Sequence, residues 1–247
     1  MNASIPLAET NGYLISSPVQ RERVYSFFDD LYKKHYGVDG IKVRQIVELD
    51  DLEVLSEARI RLYGQRKKYY ETLFGEACGL DLIDRYSYIF AIYLNGQIVG
   101  TQRITPFPHE SARYIPDQAL KVFAGRGYPD RYVEFSRLII DKNAPVKDLV
   151  TALSSMAGTL VALNTGYRNY ITYVKPRLHG RFSQFSFDHE YLPFQIPERG
   201  EHVYALFKGN LLSAVIDFFN LGCRPEHLTD MDTLISLIKK SKMEVLV

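Results

Sequence analysis

Asp81 and Asp84, three apart in GLDLID, Arg103 at the end of VGTQR, and Glu134 with Arg137 in VEFSR are the residues of this sequence best suited to chemistry. A carboxylate can take a proton from an ammonium group or a water. A guanidinium can orient that carboxylate or meet the charge that develops on a carbonyl oxygen. Arg59 belongs with them. At about 100° per residue, Leu52, Leu55, Arg59, Leu62, Arg66, Tyr69 and Leu73 share one stripe of a helix predicted to start at Asp50 or Asp51, so two arginines sit in an otherwise apolar face. Arg66 suits the edge of that stripe, from which it can reach water. Arg59 has leucines one turn away on both sides and needs an anionic partner. On a flat strand Glu134 and Arg137 would point to opposite faces, so a shared role requires a bulge or a strand end between them, and the strand is expected to be irregular near Ser136. The same residues also admit a second reading, a buried ion-pair network with no part in chemistry.

Elements that must position these groups are legible in the surrounding pattern. Residues 18 to 36 carry Val24, Phe27, Phe28, Leu31 and His35 at helical spacing, with Gly37 as a stop. IKVRQIV at 41 to 47 reads as a strand. From Tyr88 to Ile104 two β-rich segments flank Asn95-Gly96, which predicts a two-residue type I′ hairpin. Residues 105 to 130 are irregular, and VEFSRLIID at 133 to 141 reads as a buried central strand. A helix follows, with Pro145 in its first turn, a stripe of Leu149, Leu153, Met156 and Leu160, and Gly166 beyond its end. YITYV at 170 to 174 is a strand, 176 to 186 a short helix, HVYALF at 202 to 207 a last strand, and 209 to 240 two amphipathic helices. The order is mixed α/β, a twisted mixed sheet over residues 41 to 208 with helices on its faces.

The totals exclude several classes. With 46% apolar and 24% charged residues, the 247-residue chain can bury a sizeable core, and it is expected to form a single domain with a helical extension over 1 to 40 and helices over 209 to 247. A net charge of +1 demands neither nucleic acid nor an anionic membrane. No segment reaches the roughly 18 apolar residues of a membrane span, and MNASIPLAETNG has no basic region followed by an apolar one, so a cytoplasmic location is expected. Cys78 and Cys223 are too few for a disulfide framework. The six histidines are scattered, so no metal site is expected.

Taken together, ARIRLYGQRKKY, the pair Asp81 and Asp84, VGTQR and EFSR resemble, in order and spacing, the acyl-homoserine-lactone synthases and the related N-acyl amino acid synthases. The resemblance covers roughly residues 55 to 141. It implies a GNAT-like three-layer fold and transfer of an acyl group from acyl carrier protein to an amine, without a covalent enzyme intermediate or a bound cofactor. It also places Arg59, Tyr63 and Tyr69 where the family has arginine, phenylalanine and tryptophan, as substrate-binding residues with Asp81 and Asp84. Tyr69 in place of tryptophan, and Gly79 in place of a glutamate, both touch the acceptor side. An amino acid or similar small amine is therefore the expected acceptor, ahead of S-adenosylmethionine in a lactone synthase and ahead of a GNAT-like binding module without catalysis.

The donor has its own argument. Acetyl-CoA-dependent GNAT enzymes seat a pyrophosphate on a glycine-rich turn at a helix N-terminus. Here the turn reads DKNAPVKD, with no glycine and with one amide donor removed by Pro145. Acyl carrier protein needs no such cradle, and Lys175, Arg177 and Arg181 are candidates to meet its acidic surface. Glu134 is the expected general base, directly or through water, with Arg103 and Arg137 orienting that carboxylate or the acceptor. Backbone amides of the 134 to 140 strand are expected to serve the oxyanion.

Overall fold

The computed structural model describes residues 12–65, 79–176, 178 and 190–241. Helix α1 (Pro18–Tyr36) opens on Ser17, whose hydroxyl accepts from the Gln20 amide, and ends at Gly37 in the left-handed region, φ 64°. Its buried side is Val24, Tyr25, Phe28, Leu31 and Tyr32. Tyrosines thus fill the stripe that the sequence assigned partly to His35, which is exposed. After β1 (Ile41–Ile46) comes α2 (Leu49–Gly64). Its N-cap is Glu48, with no side-chain capping bond, so Asp50 and Asp51 are not caps. They lie in the first turn, where their charge favours the positive end of the helix dipole. The continuation of this helix through Arg66, Tyr69 and Leu73 falls outside the described residues.

Strands β2 (Tyr88–Leu94) and β3 (Gln97–Thr105) form the expected hairpin. Asn95 at φ 51° and Gly96 at φ 82° give both loop residues the positive φ of a type I′ turn. Helix α3 (Asp117–Ala124) and strand β6 (Leu192–Gln195) were not expected. α3 has eight residues inside a Pro- and Gly-rich stretch, and β6 contains Pro193, which is tolerated because this strand is the sheet edge. β4 (Tyr132–Ile140), α4 (Leu149–Asn164), β5 (Asn169–Val174), β7 (Val203–Asn210), α5 (Leu211–Phe218) and α6 (Met231–Lys240) complete the chain. Pro145 does not lie in the first turn of α4. That helix starts after Asp148, whose backbone at φ 58° breaks helical geometry. The predicted helix over 176 to 186 lies almost entirely outside the described residues.

Among the described residues the sheet has seven strands in the order β1-β2-β3-β4-β5-β7-β6. Of these neighbours only β4 and β5 run parallel, as their connection through α4 requires. Alternation along the strands separates two faces. Phe90, Ile92 and Val133 pack with α1, α4, α5 and α6. Ile89 and Ala91 pack with α2, and Tyr132 and Ile171 with α3. The result is an α/β fold of three layers, in which α4 is buried around most of its circumference and not along one stripe alone. No helix among the described residues is long and apolar enough to cross a membrane.

Candidate active site

Pairing between β4 and β5 runs from Tyr132↔Asn169 only as far as Phe135↔Thr172. Beyond it the strands part. β4 is irregular at the same place, because the register with β3 goes from Thr101↔Ile139 to Arg103↔Ser136, leaving one residue of β3, Gln102, against two of β4, Arg137 and Leu138. Arg137, at φ 52°, is the extra residue. A bulge of this kind turns two successive side chains to one face. Glu134 and Arg137 consequently meet the same turn, at its buried residues Glu110 and Ser111. Glu134 Oε2 accepts from the Ser111 amide at 2.9 Å and the Ser111 hydroxyl at 2.6 Å, while Arg137 Nη2 lies 3.1 Å from Glu110 Oε1. The irregularity near Ser136 that a joint role required is present.

Arg103 stands at the centre of the cluster, with its side chain wholly buried. Its Nη1 donates to Asp81 at 2.6 Å and to Asp84 at 3.3 Å, its Nη2 to Glu110 at 2.7 Å, and its Nε to the Ser136 hydroxyl at 3.2 Å. From α2, Arg59 Nη1 reaches Asp84 Oδ2 at 2.8 Å and the Gly79 carbonyl at 3.2 Å. Arg137 Nη2 donates to Asp81 Oδ2 at 2.8 Å. The aspartates are held by their own turn, a 3₁₀ segment over Leu82–Tyr86 in which Asp81 and Asp84 cap each other reciprocally. Burial works against the Asp81 charge, but Arg103, Arg137 and Arg59 outweigh it and hold this carboxyl at about 2. Arg59, Arg103 and Arg137 are thereby matched by Asp81, Asp84 and Glu110. Glu134 stands apart from that balance. Burial first, then the negative charge of Glu110, pushes its carboxyl up to about 7 against the pull of the two Ser111 donors. Its Oε1 has no hydrogen-bond partner among the described residues.

A cavity of about 1140 Å³ occupies the gap between the parted strands. Tyr63, Ser136, Arg137, Tyr173, Lys175 and Arg199 are among its lining residues. Arg59, Asp81, Asp84, Arg103 and Glu134 are not among them; Arg103 meets the wall through Ser136 and Asp81 through Arg137. Tyr69, Arg177 and Arg181 fall outside the described residues. Sequence reasoning missed Glu110, Ser111 and Arg199. Glu110 and Ser111 come from a stretch without periodicity, and the available signal was charge: three arginines called for one more carboxylate than Asp81 and Asp84 if Glu134 was to be left for chemistry. Among the described residues no group of three or more His, Cys, Asp or Glu side chains could hold a metal.

No protein-family model and no curated protein matches the sequence. Solved structures do. The CoA-dependent acyl-homoserine lactone synthase BjaI, with MTA, superposes with a TM-score of 0.57 at 17% identity, covering 84% of this chain and 92% of that one. The acyl-homoserine lactone synthase LasI gives 0.51 at 15% identity, over 69% and 89% of the two chains. A putative N-acetyltransferase from Lactobacillus plantarum gives 0.50 at 11% identity, over 70% and 99%. The fold is GNAT-like. The free edges of the parted β4 and β5 give the cleft its backbone walls.

Gly79, which the sequence marked as a departure on the acceptor side, has a packing reason here. A Cβ at this position would stand 2.3 Å from the Ser56 carbonyl oxygen of α2. Backbone meets backbone at that contact, so no side chain can swing aside. Gly79→Ala is expected to cost about 1–3 kcal/mol in denaturant unfolding by pushing α2 from the Asp81 turn. A loss under about 0.5 kcal/mol would show that the contact relaxes freely.

Proposed function

We propose that this protein is a cytoplasmic N-acyltransferase that moves a long acyl chain from acyl carrier protein to the amine of an amino acid or similar small amine. One observation carries the reading. The wide cleft is lined by Ser136 and Arg137 of the β4 bulge, and Glu134, two residues before Ser136 on the same strand, is a buried carboxylate with one unbonded oxygen and a pKa near neutrality. A base tuned to the working pH is what removal of a proton from an ammonium group requires. Glu134 is absent from the cavity wall, so in this reading a water relays the proton past Ser136. The freed nitrogen attacks the thioester carbon, and the oxyanion is met by an amide on the β5-facing edge of β4 beyond Phe135, where the ladder has ended. Collapse breaks the carbon–sulfur bond as the nitrogen sheds its second proton; the leaving thiolate takes up one proton to depart as the thiol, and the other is released from Glu134 to water. Arg103 and Arg137 keep Asp81 ionised and hold the surrounding carboxylates in place, while Arg59 anchors Asp84. Tyr63, on the cavity wall, faces the acceptor in this reading.

The case for acyl carrier protein rests on the α4 N-terminus. No glycine turn precedes it, and the N-cap position is occupied by Asp148, an acidic residue where a pyrophosphate would have to sit. Lys175 at the cavity wall, with Arg177 and Arg181, is assigned to docking. Mass spectrometry of lipid extracts from cells overexpressing the protein tests the reading as a whole: N-acyl amino acids support it, acyl-homoserine lactones replace the acceptor, and no new lipid overturns it. With purified protein, acyl carrier protein is expected to be used at least tenfold better than the matching CoA thioester, and Lys175→Glu with Arg177→Glu is expected to raise the KM for the carrier alone. Equal turnover of the two donors would remove the carrier.

A further inference from the structure

The cavity between the parted strands is lined from both faces of the sheet, and the two sides differ in chemistry. Toward α4 and α5 its wall is hydrocarbon, with Phe135, Leu211 and Val215. Toward the arginine cluster it meets Tyr63, Arg137, Tyr173, Arg199 and Tyr204. Arg199 ends the short 3₁₀ turn Pro197–Arg199 between β6 and β7. Its guanidinium lies 5.8 Å from the Tyr173 ring and 5.6 Å from the Tyr204 ring, and 12% of its side chain is exposed. Among the described residues its one ion-pair contact is Glu110 Oε1, at 4.0 Å. That carboxylate is already committed, since Oε2 takes Arg103 Nη2 at 2.7 Å and Oε1 takes Arg137 Nη2 at 3.1 Å. Glu198 and Glu201, the acidic neighbours of Arg199 in the chain, are exposed. Arg199 is thus a fourth guanidinium beside Arg59, Arg103 and Arg137, where Asp81, Asp84 and Glu110 already serve three. Glu134 does not make up the difference, because its hydrogen bonds come from Ser111.

We propose, resting on the acyl-transfer reading, that Arg199 selects the acceptor by receiving a carboxylate carried on the same molecule as the reacting amine, so that the substrates are free amino acids and not amines at large. A planar guanidinium offers parallel N–H groups that match a carboxylate, and such a charge-assisted pair is stronger than a neutral hydrogen bond. Tyr173 and Tyr204 flank the cation with ring faces and leave room for a flat anion between them and the open cavity. One surplus positive charge matches a monoanion; a phosphate ester, with nearly two negative charges, would want a second cation. An amino acid amide or a decarboxylated amine would strip water from the guanidinium and return no anion. The position also suits the reaction. Glu110 links Arg199 to Arg137 of the bulge, and Ser136 precedes Arg137 on the wall. An acceptor anchored by its carboxylate at Arg199 directs its ammonium toward Ser136, past which the proton leaves, while the acyl chain lies on the hydrocarbon side.

The test gives the whole protein dodecanoyl thioesters of acyl carrier protein and of pantetheine, with three acceptor pools: the common amino acids, their carboxamides, and their decarboxylated amines. Mass spectrometry identifies the N-acyl products, and kcat/KM is then measured for the best acid and its own amide. Only the acid pool is expected to be acylated well, with the acid ahead of its amide by roughly 10²-fold or more. Arg199→Gln is expected to bring that ratio close to one, chiefly through the KM of the acid, while melting within a few degrees of the parent. Arg199→Lys keeps a charge without the fork and is expected to fall between them, a graded selectivity that a packing role would not produce. Should the glutamine variant fail to fold, the lysine variant decides: a ratio below that of the parent supports the proposal, and an unchanged ratio overturns it. Equal use of acids and amides by the parent overturns the proposal and leaves acyl transfer to amines standing. Arg199→Gln weakening acid and amide equally assigns the residue to the frame of the cavity, which also overturns it. No product from any pool overturns the acyl-transfer reading and this one together.

Discussion

Arg103→Ala is expected to cost about 3–5 kcal/mol of stability, enough to leave much of the protein unfolded at 37 °C. The reason lies in what would remain. Asp81, Asp84 and Glu110 each give an oxygen to this one guanidinium, whose side chain is fully buried, and Glu110 is itself 1% exposed. Removing the cation leaves three carboxylates gathered in low dielectric, with Arg59 and Arg137 too few to match them. Repulsion would then force protonation or opening. Arg103→Lys is expected to recover little, because one ammonium cannot reproduce a planar fork that reaches Asp81 and Glu110 in different directions while its Nε meets Ser136. Pairing Arg103→Met with Glu110→Gln should restore part of the loss by removing one of the stranded charges. Denaturant midpoints for the three proteins check this. An Arg103→Ala variant within about 1 kcal/mol of the parent would mean that water enters the cluster freely.

The frame of this cluster was legible because its signals are local. Asn95-Gly96 fixes a hairpin through two positive φ values, Gly37 ends α1, and Leu52, Leu55, Arg59 and Leu62 mark one helical face whether or not the partner of Arg59 is known. The bulge was legible from a contradiction: Glu134 and Arg137 could not share a face on a regular strand, yet nothing else in VEFSR explains two opposite charges in an apolar run. Glu110 and Ser111 were not legible. Their importance comes from the fold bringing a loop to β4 across more than 20 residues, as the Ser111 to Glu134 bonds show, and no periodicity encodes such a contact.

Glu134→Gln is expected to lower kcat by roughly 10²-fold while the protein melts at or above the parent temperature at pH 8. Both halves of that expectation come from the surroundings of the side chain. Glu134 is fully buried, and its hydrogen bonds come from Ser111. The amide oxygen of glutamine can accept the same two bonds, so no arginine is stranded. Ionising the acid is what costs stability. Its carboxyl sits at about 7 in the folded protein against 4.5 ordinarily, so between those values the native state holds a proton that the unfolded chain has released. Stability of the parent therefore falls as pH rises from about 4.5 through 7, and glutamine abolishes that fall. Activity has the opposite slope. The base must be ionised to accept a proton, so kcat of the parent should rise through about pH 7, and this limb should vanish in the glutamine variant. Glu110 and Arg103 act on this group with opposite signs. Tyr86, Tyr128 and Tyr173 couple to it, but burial raises their hydroxyls and keeps them neutral. Ser111→Ala removes one donor to the ionised oxygen, so its limb should move to higher pH with folding intact, a shift that a purely packing role for Ser111 would not produce. Turnover of Glu134→Gln equal to the parent would end the case for Glu134 as the base. A fall in activity matched by a collapse in melting temperature would assign it to structure instead.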